Sequence, residues 1–275
     1  MGSHFPSENK EDSKMAKKNY VETKFTCERD GLTIRGLMFE PLNGKVNAEG
    51  KLPVAIVSHM FMANYKMVAK YAKFLAENGY LSVCYDFNGG GIFSKSDGKS
   101  VDMSVLTEVK DLEAVIEAVL KNKKADAARL LLMGCSQGGF VSALVAARHP
   151  EMVERLVMFY PALSIPDDAR KGGMLMAKFD PQNVPEVFKC GFMKLGRQYV
   201  TDVNKMDAFK EISAYEGPVL LLHGTKDTAV DVSNSKKAAE YYKNVQLELI
   251  EGAGHGFFGA NQKLSLKLLK EFIEK

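Results

Sequence analysis

From residue 52 to the C-terminus, short apolar runs alternate with segments of helical period, and no other feature of the chain limits its fold as strongly. "LPVAIVSH" (52–59) and "YLSVCYD" (80–86) are continuous apolar runs, and further strand-like runs occupy 129–133, 153–160, 218–223 and 245–250. A strand apolar on both faces must be covered on both, as in a parallel sheet flanked by helices. Between the runs, Val68, Tyr71, Ala72 and Leu75, stopped by Gly79, keep the spacing of an amphipathic helix. So do Val105, Val109, Leu112, Ile116 and Val119. Helices are likewise expected over 138–148, over 232–242 and from about residue 261.

This order predicts an α/β chain with a mostly parallel central sheet and helices on both faces. An antiparallel hairpin, 20–28 and 31–39 around Asp30-Gly31, leads into it, followed by a polar loop from Asn43 to Lys51. Residues 20–275 are read as one domain. Residues 163–213 break the alternation, with Pro166, Pro181, Pro185, Gly172-Gly173, several methionines and no clean strand. They read as an inserted lid. Residues 1–19 read as a disordered tail or a cloning remnant: "MGSH" looks like a scar, and Met15 would serve as an internal start.

Composition narrows the partners. Lys plus Arg number 37 against 34 Asp plus Glu, a balance that carries no basic field for nucleic acid. No apolar run approaches the roughly 20 residues that span a bilayer, and residues 1–19 lack a signal-peptide core. A cytoplasmic location with no membrane partner is expected, or a secreted or periplasmic one if a leader was removed. Cys27, Cys84, Cys135 and Cys190 are widely spaced, and no CxxC or HxxxH pair suggests a metal.

In a sheet of this kind ligands bind beyond the carboxyl ends of the strands, after His59, Asp86, Ser136, Tyr160, His223 and Ile250. "LLLMGCSQGGF" (130–140) places Gly134-x-Ser136-x-Gly138 between a strand and a helix. That is the arrangement of a nucleophile elbow, whose small neighbours permit a strained central residue. Ser136 is the candidate nucleophile; a glycine-rich turn without chemistry is the alternative. Cys135, one residue earlier, should point aside as a small buried residue. A serine hydroxyl needs a general base. His255, in the glycine-rich loop "EGAGHGFF", falls at the same sheet edge, whereas His149 reads as a helix-end residue bonding terminal carbonyls and His223 as a structural strand end. Asp227, in "HGTKDTAV", is the candidate acid, against an ordinary turn or N-cap aspartate. The order Ser136, Asp227, His255 is that of α/β-hydrolases. An oxyanion would need two backbone N–H groups, one from Gln137 and one from the loop after the first central strand.

Taken together, "SHMFMANY", "YDFNGGGIFSKSDG", "GCSQGG", "HGTKDTAV" and "EGAGHGFF" over residues 20–275 resemble the α/β-hydrolase fold and, within it, bacterial cinnamoyl and feruloyl esterases. The resemblance implies that Phe61 supplies the second oxyanion amide and that Asp168 and Tyr199, in the lid, hold the ring hydroxyls of a phenolic acid. Met174, Met176 and Met193 would line an adaptable pocket or fill the core. Two positions depart from the family: Met60 stands where it usually has glycine, and Cys135 where it often has histidine. Dienelactone hydrolases, similar in fold, place a cysteine at the centre of the elbow, where this chain has Ser136. The implied activity is serine carboxylic-ester hydrolysis of hydroxycinnamate esters, with a small-molecule ester as partner, no cofactor and a homodimer left open. The alternatives are a short-acyl esterase, a thioesterase, a serine aminopeptidase or a non-catalytic binding protein of the same fold.

Overall fold

Eight strands share the main sheet, and their hydrogen bonding follows from the pattern of the chain. The computed structural model describes residues 18–275; the tail reading, through residue 17, and His4 lie outside the described residues. Strands β1 (Tyr20–Arg29) and β2 (Leu32–Pro41) form the antiparallel hairpin, and β2 pairs antiparallel with β4 (Leu81–Tyr85). From there β3 (Leu52–Ser58), β5 (Ala125–Cys135), β6 (Val153–Phe159), β11 (Val219–Gly224) and β12 (Val245–Ile250) run parallel. The spatial order is β1-β2-β4-β3-β5-β6-β11-β12. Helices α1 (Tyr65–Glu77), α2 (Val105–Leu120), α3 (Gln137–Arg148), α7 (Ser233–Tyr241) and α8 (Gly259–Ile273) connect or follow them. No described helix is long and apolar enough to cross a membrane.

Successive strand residues point to opposite faces, and the central strands supply two cores in strict alternation. Val54, Ile56, Leu130, Leu132 and Leu221 pack with Val109 and Leu112 of α2 and Leu144 of α3. Their neighbours Ala55, Val57, Leu131, Met133 and Leu220 pack with Tyr71 and Leu75 of α1 and Leu269 of α8. Hence both faces of the strands had to be apolar.

Three elements begin earlier than their apolar periodicity does. Asn64 caps α1, its side chain accepting from the Lys66 N–H, so the helix starts before Val68. Strand β5 extends back to Ala125 through a register shift at Leu130/Leu131, over residues with no apolar pattern of their own. Helix α8 begins at Gly259.

The segment expected to lack strands contains two small antiparallel hairpins. After α4 (Ile165–Lys171), β7 (Gly173–Met174) pairs with β8 (Ala177–Lys178), and β9 (Val187–Cys190) pairs with β10 (Met193–Gly196). Helices α5 (Gln198–Thr201) and α6 (Ala208–Ile212) complete it. Phe188, Cys190, Met193 and Leu195 point inward while Val187, Lys189 and Lys194 point out. The alternation is genuine, but it is only four residues long and built from cysteine, methionine and lysine, so the sequence pattern does not announce it.

Helix α2 buries two carboxyls among its apolar residues. Asp111 accepts from Arg29 Nε at 2.8 Å and from the backbone and side chain of Asn88, fixing the loop after β4. Glu108, 1% exposed, accepts from Gln137 Nε2 at 2.7 Å through Oε2, while its Oε1 has no partner among the described residues. Burial drives the Glu108 carboxyl well above its usual range, against the opposing Gln137 hydrogen bond. The folded protein therefore keeps a proton here that the unfolded chain releases above about pH 4.3, and stability falls as pH rises through that window. Glu108→Gln, isosteric with the protonated acid, should be more stable than the parent in urea unfolding at pH 8. The advantage should shrink toward pH 4.5; an equal gap at both pH values would show that Glu108 is ionised in the fold.

Candidate active site

The turn from β5 into α3 holds Ser136 at φ 51°, ψ −120°, a conformation costly for any residue with a side chain. The surrounding backbone over-determines it. The Ser136 N–H donates to the Phe159 carbonyl at 2.9 Å, and the Ser136 carbonyl accepts from Gly139, Phe140 and Ala162. A Cβ at Gly134 would lie 2.0 Å from the Gly138 carbonyl oxygen, and one at Gly138 would lie 2.4 Å from the His59 carbonyl oxygen. Only glycine lets the strand, the turn and β3 approach this closely. The result is a hydroxyl lifted above the sheet edge, on the wall of a cavity.

His255 Nε2 lies 2.9 Å from Ser136 Oγ, and His255 Nδ1 lies 2.7 Å from Asp227 Oδ2. The Asp227 carboxylate, fully buried, also accepts the Ala229 and Val230 N–H groups at Oδ1, each at 2.9 Å. His223 Nε2 sits 3.1 Å from Asp227 Oδ2 and 3.0 Å from the Val230 carbonyl, and its Nδ1 sits 2.6 Å from Ser235 Oγ. These partners place the His223 proton on Nε2, shared between the two oxygens, with Nδ1 accepting from Ser235. Burial pushes the Asp227 carboxyl up, but the bonds from His223, His255 and Val230 outweigh it and hold the group well below the usual carboxylate range. The acid is thus a fixed anion facing His255 Nδ1. His255 is held from its other side by the Tyr160 ring, 4.8 Å away between centroids.

Cys135 points to the opposite face of the sheet, fully buried in the core under α1, and burial pushes its thiol up to about 12. A thiol so placed is neither accessible nor ionised.

The two expected oxyanion donors lie on the cavity wall, and neither the Gln137 nor the Phe61 N–H donates to another group among the described residues. Met60 does not distort this loop. The positive φ in the turn falls at Met62 (60°), and the Met60 carbonyl is tied down by His59 Nδ1 at 2.7 Å and the Ala63 N–H at 3.1 Å. His59 Nε2 accepts from the Phe87 N–H, so this buried ring is a neutral brace between two loops, and burial lowers its proton affinity.

The Gln137 side chain reaches the other way. Its Nε2 donates to Glu108, and its Oε1 accepts a close hydrogen bond from the Tyr199 hydroxyl. Tyr199, 2% exposed, lies 5.7 Å from the Phe61 ring. Its hydroxyl proton is therefore committed to Gln137, which the sequence expectation of a hydroxyl reader did not foresee. Glu108 was equally invisible, because one acidic residue in a helical stripe carries no sign of burial.

A cavity of about 410 Å³ opens beside Ser136. Its walls are mainly apolar, with Met60, Met62, Met174 and Leu175 among them, and Asp168 is the one carboxyl among the described residues that faces it. Burial raises the Asp168 carboxyl, tempered by a hydrogen bond from Ser164 Oγ at 2.8 Å. Asp167 and Asp168 lie within the first turn of α4, not at its N-cap, which is Ser164. Of the three lid methionines singled out, only Met174 lines the cavity: Met193 is packed in the core and Met176 is exposed. His149, expected to bond terminal carbonyls, instead pairs with Glu113 at 3.0 Å, because that carboxylate on α2 faces the end of α3.

Comparison with known proteins places the fold. Est1E from Butyrivibrio proteoclasticus, in a structure with ferulic acid bound, superposes with a TM-score of 0.81 at 28% identity, over 91% of this chain and 100% of that one. The monoacylglycerol lipase ABHD6 of Homo sapiens is 25% identical over 265 residues, covering 82% of this chain and 76% of its own. The acylamino-acid-releasing enzyme of Mus musculus is 23% identical over 238 residues, 80% of this chain but 30% of its own length. The fold is that of an α/β-hydrolase of the esterase and lipase type. The family model described as serine aminopeptidase, S33, matches residues 52–189, half of the chain, and the chain belongs to that family.

Proposed function

We propose that the protein hydrolyses carboxylic esters of hydroxycinnamic acids through an acyl-enzyme on Ser136. The observation that carries the chemistry is the continuous path Ser136 Oγ, His255, Asp227, with two uncommitted amides beside it. His255 takes the Ser136 proton as Oγ attacks the ester carbonyl and returns it to the departing alkoxide. Asp227 stabilises the imidazolium, and the Gln137 and Phe61 amides receive the oxyanion. Water, activated by the same imidazole, then releases the acid. No cofactor or metal enters these steps.

The acyl preference rests on the cavity. Residues 163–213 act as a lid that forms its outer wall, and Asp168 places one half-buried carboxyl among apolar side chains, where a ring hydroxyl would donate to it. Tyr199 shapes the wall with its ring while its hydroxyl steadies Gln137. The structural likeness to Est1E, whose structure holds ferulic acid, supports the same reading. A methionine-lined apolar cavity also suits an alkyl chain, as in a monoacylglycerol, so the decisive assay compares methyl ferulate, methyl cinnamate, p-nitrophenyl acetate and a monoacylglycerol. Ferulate should be the best of the four in kcat/KM.

Ser136→Ala should lower kcat by about 10⁴-fold or more without loss of the fold, whereas Cys135→Ala should keep most of the activity. The reverse pattern would move the nucleophile.

Because hydrogen bonds hold Asp227 ionised, protonation of Asp227 should add no step to the pH profile of kcat/KM between about pH 4 and pH 8. Asp227→Asn should cost several orders of magnitude in kcat, about 10⁴-fold, with the protein folded. Near-normal turnover in that variant would assign the acid elsewhere.

Asp168→Ala should reduce kcat/KM for methyl ferulate by roughly 5- to 150-fold and leave methyl cinnamate, which lacks the ring hydroxyl, nearly unchanged. Tyr199→Phe should weaken both esters alike, since it acts through Gln137. Equal losses on both esters for Asp168→Ala would remove the phenolic-acid reading.

A further inference from the structure

All three exposed phenylalanines among the described residues, Phe93 (87%), Phe192 (93%) and Phe258 (70%), lie around the mouth of the catalytic cavity. Phe258, Met67 and Leu175 line it directly and are themselves exposed. Phe93 follows Ile92, whose N–H bonds the Met62 carbonyl, and Gly91 bridges Met62 in a parallel pairing. Phe192 follows Gly191, where a Cβ would lie 3.2 Å from Met62 Cε and 2.3 Å from Met176 Cε, and Met176 is exposed as well. Met62 is a wall residue of the cavity. Through it, the loop after β4, the β9–β10 hairpin and the β7–β8 hairpin meet at one rim. Phe93 is also held at φ 58°, so a bulky apolar ring is kept in solvent on a strained backbone. A gathering of exposed apolar side chains at one place marks an interaction surface, whereas scattered ones need no explanation.

The charges on the stretches of these loops nearest the rim are of one sign, with Asp97, Asp180, Glu186 and Glu251 standing just beyond them in the chain. Residues 61–70, 87–96, 172–179, 187–196 and 252–263 contain no Asp or Glu. They carry the exposed lysines Lys66, Lys95, Lys178, Lys189, Lys194 and Lys263, none of them in an ion pair among the described residues. The net charge of +3 conceals this local excess, because the acidic side chains are distributed over the rest of the chain.

We infer that the rim of the cavity, with Phe93, Phe192 and Phe258 set among unpaired lysines, docks on an anionic lipid–water interface. Aromatic and aliphatic tips enter the headgroup boundary, and the lysines meet the lipid phosphates. This is peripheral contact by loops, as no helix among the described residues is long and apolar enough to cross a membrane. It would deliver a sparingly soluble ester from the lipid phase directly into the cavity, and it does not depend on which acyl group Ser136 accepts.

The test is co-sedimentation of the full chain with phosphatidylcholine vesicles, with and without phosphatidylglycerol, at low and high salt. Binding is expected to the anionic vesicles and to weaken with salt. Phe93→Ser with Phe192→Ser should reduce the bound fraction by about tenfold or more. Lys189→Glu with Lys194→Glu should abolish the preference for phosphatidylglycerol. Hydrolysis of p-nitrophenyl acetate in vesicle-free buffer should be unchanged in both variants, since none of these side chains reaches the reacting atoms, and this separates loss of docking from loss of fold or catalysis. Absence of binding to anionic vesicles would overturn the inference, as would binding that survives the paired phenylalanine change. So would a dimer in size-exclusion chromatography that the phenylalanine change dissociates while no vesicle binding is seen, since the rim would then cover a second copy of the chain.

Discussion

The close approach of three backbones at Ser136 is the constraint on which the rest of the site depends. Strand β5 must stop and α3 must begin within one residue, so that the hydroxyl stands clear of the sheet while the α3 N-terminus faces the same space. That is possible only where Gly134 and Gly138 leave no Cβ between β5, α3 and β3, and the Ser136 φ of 51° is the strain that remains. The sheet stabilises it by the bond from the Ser136 N–H to Phe159 on the neighbouring strand and by the three donors on the Ser136 carbonyl. A serine anywhere else on this sheet would be buried between strands or free to rotate. Here its position is fixed before substrate arrives, and pre-set geometry is what lowers a barrier without reorganisation.

Around that point the structure sorts charge by location. On the base side a permanent carboxylate is wanted, and Asp227 is held ionised by four donors from two histidines and two amides. On the oxyanion side a carboxylate would oppose the developing negative charge, yet Glu108 lies directly behind Gln137. Complete burial resolves the conflict: without a cation beside it, the Glu108 carboxyl retains its proton and accepts from Gln137 Nε2 as a neutral group. Two acidic residues thus carry opposite charge states within one site, and the difference comes from the number of donors each meets. Such opposed environments are the means by which a fold assigns acid and base roles.

The sequence discloses what repeats and which residues meet at the sheet edge. The parallel strands are legible because both of their faces are buried, and the elbow is legible because its steric demand restricts three positions to small residues. Chain order then selects Asp227 and His255 out of many aspartates and five histidines. What the sequence hides is pairwise: the two hairpins of residues 163–213, the burial of Glu108, the commitment of the Tyr199 hydroxyl to Gln137, and the capture of Asp227 by His223. Glu108 and Tyr199 each depend on Gln137, tens of residues away, whereas the hairpins and the His223–Asp227 pair are close in the chain but too short to carry a periodicity. Met60 is instructive in the other direction. A residue other than glycine suggests a displaced loop, but the positive φ is carried two residues later at Met62, so the side chain at position 60 costs nothing there.

One hydrogen bond joins residues 163–213 to the turn that carries Ser136. Tyr199 belongs to α5 of the inserted segment, whereas Gln137 opens α3 next to Ser136, so on the proposed reading the Tyr199–Gln137 contact makes the inserted segment a support of the oxyanion site as well as a wall of the cavity. Any substrate that shifts the lid must also strain the Gln137 side chain against its anchor on Glu108. Acyl groups that fit the wall without moving it keep the amide in place, and those that do not fit lose both binding and alignment. Selectivity in such a site falls on kcat as well as KM, because remote contacts with the acyl group and the positioning of the reacting carbonyl share the same three residues.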